Sequence, residues 1–174
     1  MAKLYAIGEA LIDFIPQTRD VELKDVKGFE PQVGGAPANV ASCVSRLGRE
    51  SALITQLGQD AFGDLIEETL QKQGVDTTSI SRTDEANTGL AFVSLTASGE
   101  RDFAFYRKPS ADMLLEASTL NLNFQADDIL HFCSVDLIPS PMKKAHIEAI
   151  EQMEKANGTI IFDPNLSCLL YTSD

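Results

Sequence analysis

Residues 33–41 read Val-Gly-Gly-Ala-Pro-Ala-Asn-Val-Ala, and this stretch constrains the chain more than any other. Two successive glycines let the backbone approach a neighbour closely, because neither carries a Cβ. Pro37 suits the first turn of a helix, where its missing N–H costs nothing. The N–H groups ahead of it have no helical partner and can face a bound polar molecule. Asn39 lies in that first turn and offers both a donor and an acceptor. A loop of this kind can hold hydroxyls or phosphates, although the spacing also suits a plain strand-to-helix turn. It is neither of the common nucleotide loops, since the chain has no Gly-x-Gly-x-x-Gly and no Gly-Lys-Ser/Thr.

The flanking sequence reads as alternating strands and helices. Residues 4–7 form a short apolar run ending at Gly8, and residues 10–15 continue it as one buried first strand. Residues 22–33 are mixed and extended. A helix from about residue 36 stops at Gly48, and residues 51–57 are a second buried strand. Asp60 caps a helix over residues 61–73 that Gly74 ends, with Leu65, Ile66 and Leu70 as its inner stripe, near Phe62 and Thr69. Residues 90–96 and 102–107 flank Ala-Ser-Gly-Glu and read as a hairpin. The period of two sends Phe103, Phe105 and Arg107 to one face and Asp102, Ala104 and Tyr106 to the other. Ser110 begins a short turn. Residues 129–133 are a strand, Ser140-Pro141 opens a helix ending near residue 157, and residues 159–162 are a last strand before Asp163-Pro164-Asn165. This alternation predicts an α/β fold with a parallel sheet and helices on both faces. The hairpin breaks the alternation and, with residues 15–33, is expected to form a separate small sheet.

Composition narrows the partners. The 174 residues are 44% hydrophobic and 23% charged, as in a globular domain, and no linker divides them. A net charge of −12 argues against nucleic acid and anionic membranes. No apolar run approaches the ~18 residues of a membrane helix, and the first residues do not read as a signal peptide, so a cytoplasmic protein is expected. Cys43, Cys133 and Cys168 are far apart and fit neither a disulfide framework nor zinc, so buried free thiols are expected. His131 and His146 have no ligand-spaced partner, so no metal site is expected in these residues.

Ligands of open parallel sheets bind beyond the carboxyl ends of strands. Three polar groups are predicted there: Asp13 after strand one, Gly34-Gly35 with Asn39, and Asp163 with Asn165 after the last strand. Asp13 is a carboxylate inside an apolar run, which is costly without a partner. A cap or a structural salt bridge is the plainer explanation for it.

Together these segments resemble the PfkB (ribokinase-like) carbohydrate kinases. The resemblance rests on Ile-Gly-Glu-Ala-Leu-Ile-Asp at 7–13, the 33–41 motif, Arg-Leu-Gly at 46–48, Leu-Gly-Gln-Asp-Ala-Phe-Gly at 57–63 and Phe-Asp-Pro-Asn at 162–165. Phe-Tyr-Arg-Lys-Pro-Ser-Ala-Asp-Met-Leu-Leu at 105–115 resembles the fructokinase branch. The resemblance implies a ribokinase-like sheet with a small β-sheet lid, built from segments at about 15–33 and 88–107. It implies ATP-dependent phosphorylation of a sugar, D-fructose to fructose 6-phosphate, with ATP and Mg2+ in the full-length protein. Asp13, Gly34, Gly35 and Asn39 match positions that hold sugar hydroxyls. Thr88, Gly89 and Phe103 match lid strands over the sugar, and Arg107 matches a substrate or phosphate contact. Asn165 matches a position near the transferred phosphate and its magnesium. The family's lid often builds a dimer interface, so a homodimer through it is implied.

The departures are as informative. The family's catalytic base is an Asp in Gly-Ala-Gly-Asp, and no Gly-x-Gly-Asp occurs here. Residues 1–166 are therefore expected to be the N-terminal part of one kinase domain, inactive alone. Residues 167–174 lack capping and periodicity and are expected to be an atypical, non-native tail. Competing readings are a 2-keto-3-deoxygluconate kinase, which needs more arginines for an anionic substrate, and a non-catalytic sugar-binding module. A nucleotide-binding oxidoreductase is disfavoured by the missing glycine fingerprint.

Overall fold

The computed structural model describes residues 2–18, 20–95 and 101–165. Two sheets organise it. Strands β1 (Leu4–Ile7), β4 (Ser51–Gly58), β5 (Ile80–Thr83), β8 (Ile129–Cys133) and β9 (Thr159–Asp163) form a parallel sheet in the order β5-β4-β1-β8-β9. Strands β2 (Leu11–Pro16), β3 (Phe29–Gly34), β6 (Gly89–Leu95) and β7 (Arg101–Tyr106) form a mixed sheet in the order β3-β2-β6-β7. Within it β2 runs parallel to β6, and the two outer pairs are antiparallel.

The parallel sheet is covered on both faces, as its alternation predicts. Helices α1 (Ala36–Arg46) and α2 (Ala61–Lys72) share a core with Ala6, Leu53 and Leu57. Helix α3 (Pro141–Lys155) packs on the other face with Ile7, Ile54, Leu130 and Phe132. Successive residues of β1 and β4 thus serve opposite cores, which is why β4 is buried along its whole length.

One strand expectation needs correcting. Residues 4–7 and 10–15 are not one strand. The chain turns at Gly8, with φ 142°, so β1 and β2 enter different sheets. Asp13 accordingly lies within β2, not beyond the end of a parallel strand. Leu65 also differs, being exposed while Ile66 and Leu70 are fully buried. Cys43 is exposed, whereas Cys133 is buried. The hairpin loop 97–100, Cys168 and the tail 167–174 lie outside the described residues.

The mixed sheet docks through an aromatic group. Phe14 stacks on Phe92 at 4.6 Å and meets Phe62 of α2 edge-on at 5.6 Å. Phe29 and Tyr106 add edge contacts to Phe92 at 5.2 and 5.5 Å. Such pairs add about 0.5–1.5 kcal/mol each beyond burial. Because Ile12 and Phe14 face this core, the period of two turns Leu11, Asp13 and Ile15 to the opposite face.

Asp60 joins the two sheets. Its Oδ1 accepts the N–H groups of Phe62 and Gly63 at 3.1 and 2.8 Å, capping α2. Its Oδ2 accepts Thr88 N–H at 2.8 Å, just ahead of β6. Burial alone would raise this carboxyl, but the N–H bonds from Thr88, Gly63 and Phe62 outweigh it and hold the group below its ordinary range. Asp60→Ala is expected to lower unfolding free energy by about 1–2 kcal/mol, read from urea melts at pH 7. A loss within error of zero would contradict this role.

Candidate functional site

The diglycine turn is built by exclusion. Strand β3 ends at Gly34, where a Cβ would overlap Asp13 Oδ2. Gly35 follows with φ 103°, and a Cβ there would overlap the Glu9 carbonyl. The bare backbone therefore lets the Asp13 carboxylate lie directly against the turn. Asp13 is half-buried, and desolvation pushes its pKa up. Among the described residues it has no hydrogen-bond partner, so a cap or salt bridge does not explain it. A desolvated carboxylate without a donor favours a ligand hydroxyl.

Glu9 lies behind the turn and is only 3% exposed. Its Oε1 accepts the Ala36 N–H at 2.9 Å, at the start of α1. Its Oε2 faces the Cys133 thiol at 3.9 Å, and its carboxyl contacts Asp136. Burial first, and then Asp136, push the Glu9 pKa up to about 8. Burial and the Glu9 charge push the Cys133 thiol up to about 12, so it is inert as a nucleophile.

Arg107, directly after β7, joins this cluster. Its Nη2 pairs with Asp112 and, at 2.7 Å, with Asp136 Oδ1. Ser110 donates its hydroxyl to Asp112. Burial alone would lower the guanidinium pKa, but Asp112 and Asp136 raise it, keeping the cation charged. Gly89 stands beside the pair, where a Cβ would lie 3.3 Å from Arg107 Cγ and 3.4 Å from Asp112 Oδ1.

The structure brings together Asp13, Gly34 and Gly35, with Gly89 and Arg107 on the neighbouring strands. Leu11 is in register with both Gly34 and Gly89, which places the two glycines on either side of β2. Thr88 is buried, and its hydroxyl is already used to accept Gly58 N–H at 3.0 Å. It therefore sets the position of Gly89. Asn39 stands apart. It is exposed and lines a depression of about 440 Å³ with Val33, Ser42, Cys43 and Arg46. Val33 lies on the face of the mixed sheet opposite Asp13. Phe103 is in β7, but its side chain lies outside the described residues. Asn165 has φ 41°, donates its N–H to Asp163 Oδ1 at 2.9 Å, and reaches the Cys133 thiol with its side chain.

Glu9, Asp112 and Asp136 carry much of this geometry, and no role is read for them in the sequence. Glu9 was detectable by the argument applied to Asp13, as a carboxylate between apolar residues. Asp136 pairs with Arg107 across 29 positions and leaves no local pattern.

Arg107→Met would leave two buried carboxylates without their cation. A loss of about 3–5 kcal/mol in unfolding free energy is expected by denaturant titration at pH 7. A loss under about 1 kcal/mol would contradict the clamp.

The model of the pfkB family carbohydrate kinases matches residues 1–171. Fructokinase from Solanum tuberosum is 44% identical over 172 residues, covering 98% of this chain and 54% of that protein. Fructokinase from Vibrio cholerae O395, in its fructose, ADP and calcium ion bound form, superposes with TM-score 0.85 at 34% identity, covering 99% of this chain and 53% of the other. An uncharacterized sugar kinase from Pyrococcus horikoshii in complex with ATP superposes with TM-score 0.87 at 37% identity, covering 97% and 55%. The chain spans about half the length of the curated relatives it matches. A family match across residues 1–171, on a parallel sheet with a mixed sheet alongside, places this chain in the pfkB family of carbohydrate kinases.

Proposed function

We propose that the intact protein carrying this chain transfers a phosphoryl group from ATP to D-fructose, giving fructose 6-phosphate. The observation that supports this reading is Asp13: a half-buried carboxylate against a diglycine turn, with no donor among the described residues. A sugar hydroxyl would donate to it, since the bare glycine backbone lets the carboxylate lie directly against the turn. Orientation of this kind supplies much of the catalysis in phosphoryl transfer. Residues 1–166 would be the N-terminal part of one kinase domain, with the mixed sheet as its lid and as a surface for a homodimer. Residues 167–174 would be an atypical tail. Asn39, Thr88, Phe103 and Asn165 remain in the proposed sugar- and phosphate-proximal set on the strength of the family match. Thr88 contributes by positioning Gly89. No helix of the described residues is long and apolar enough to cross a membrane, which is consistent with a cytoplasmic enzyme.

The proton acceptor is not among these residues, so this chain alone would bind sugar without turning it over. ATP and Mg2+ belong to the proposal for the intact protein. Among the described residues no group of three or more His, Cys, Asp or Glu side chains could hold a metal ion, so no step is assigned to one. A 2-keto-3-deoxygluconate kinase is less favoured, because Arg107 is already neutralised by Asp112 and Asp136 and offers little to an anionic sugar. A non-catalytic sugar-binding module would use the same contacts.

Calorimetry on this chain separates these readings. Fructose is expected to give binding heat and ATP none. Asp13→Ala is expected to weaken fructose at least about tenfold, roughly 1.4 kcal/mol. Unchanged affinity in Asp13→Ala would overturn the sugar assignment. Fructose 6-phosphate formed by these 174 residues with ATP would contradict the missing base.

A further inference from the structure

We propose that Glu9 is a positioning residue that works as the neutral carboxylic acid: it accepts the Ala36 N–H, donates its own proton to Asp136, and so couples the diglycine turn to Arg107. The geometry requires a proton at this point. Asp136 Oδ1 is taken by Arg107 at 2.7 Å, but Asp136 Oδ2 is buried without a donor. Glu9 contacts Asp136 and is 3% exposed. Its Oε1 already accepts from Ala36 at 2.9 Å. Among the described residues the only donor offered to the remaining oxygen is the Cys133 thiol, a weak one at 3.9 Å.

Charge leads to the same conclusion. Arg107 supplies one positive charge to three buried carboxyl groups, those of Asp112, Asp136 and Glu9. Two ionised carboxylates in contact in a low dielectric repel strongly, so one holds a proton. The groups facing Glu9 are Ala36 N–H from α1, Cys133 from β8 and Asp136 beyond it, with Arg107 and Asp112 behind Asp136. Arg107 Nη2 is bonded to Asp136 Oδ1 at 2.7 Å, which leaves Glu9 to carry the proton. The elevated value of about 8 agrees with that assignment.

The pH dependence follows from linkage. The folded protein binds this proton more tightly than the unfolded chain, whose glutamates titrate near the ordinary value of 4.5. The contribution is complete at low pH and is lost as pH rises through about 8. Above that, two carboxylates repel at the root of the diglycine turn.

Glu9→Gln tests this, because an amide can accept from Ala36 and donate to Asp136 without titrating. Glu9→Ala removes both bonds. Hydrogen exchange at the Ala36 amide, thermal melts over roughly pH 5–9.5 and fructose affinity are measured on this chain. At neutral pH, Ala36 protection in wild type and Glu9→Gln is expected to exceed that in Glu9→Ala at least about tenfold. Between about pH 7 and 9.5, wild type is expected to lose melting temperature and about tenfold in fructose affinity, while Glu9→Gln stays flat. Ala36 in Glu9→Gln exchanging as fast as in Glu9→Ala, or the wild-type pH loss persisting in Glu9→Gln, would overturn the proposal. Should Glu9→Ala not fold, the comparison of wild type with Glu9→Gln still decides. The affinity readout rests on the sugar reading. Absence of fructose binding by wild type would refute that reading alone, with exchange and melting still deciding the role of Glu9.

Discussion

A buried cation, Arg107, ties the two sheets of this protein together. Arg107 leaves the mixed sheet at the end of β7 and pairs with Asp136, which follows β8 of the parallel sheet. It also pairs with Asp112 in the short turn Ala111–Leu114. An exposed ion pair would contribute little to stability. This one is desolvated, so its value lies in specificity: removing one partner leaves charge stranded in a low dielectric. Glu9 extends the same network to the first residue of α1. The position of the diglycine turn relative to β7 therefore depends on a few polar atoms, while the flanking cores fix only the approximate placement of the sheets.

The break between β1 and β2 gives that network its place. Gly8 tolerates φ 142°, and a Cβ there would sit 2.6 Å from Pro37 Cγ and 3.1 Å from Asp136 Oδ2. The chain can thus cross from one sheet to the other while packed against both α1 and the acidic cluster. Glu9 lies at the crossing, and Asp13 lies four residues on, across β2 from the aromatic core. Phe14, Phe29, Phe62 and Phe92 secure one face of the mixed sheet, leaving the other with a carboxylate and two bare glycine backbones. On β9, Ile161 and Phe162 remain 44% and 47% exposed, on opposite faces of the strand.

What the sequence disclosed follows from the range of each signal. The diglycine turn, the Asp60 cap and the Gly48 and Gly74 stops are encoded within a few residues and fall where they were read, but the Ala36 N–H expected to face a ligand is taken by Glu9. The alternation of strands and helices yields the parallel sheet, and the off-pattern hairpin yields the second sheet. The split of residues 4–15 was not legible, because an apolar run records burial without naming the sheet that provides it. Leu65 was misread because Phe62, Ile66 and Leu70 already complete a face one helical stripe wide. The resemblance offers Arg107 as a substrate or phosphate contact; its protein partners Asp112 and Asp136 were not legible, since the second becomes a neighbour only after folding. Asn39 reads as part of the turn because it is close in sequence, yet helical rotation presents it to a depression that Asp13 does not line.

The proposed sugar contact centres on Asp13, Gly34 and Gly89. Amide chemical-shift mapping of this chain during titration with D-fructose tests it most directly. Saturable shifts centred on the amides of Asp13, Gly34, Gly35 and Gly89 are predicted, with Ser42, Cys43 and Arg46 unmoved. Shifts centred on the latter group, or none at the diglycine turn at saturating sugar, would contradict it.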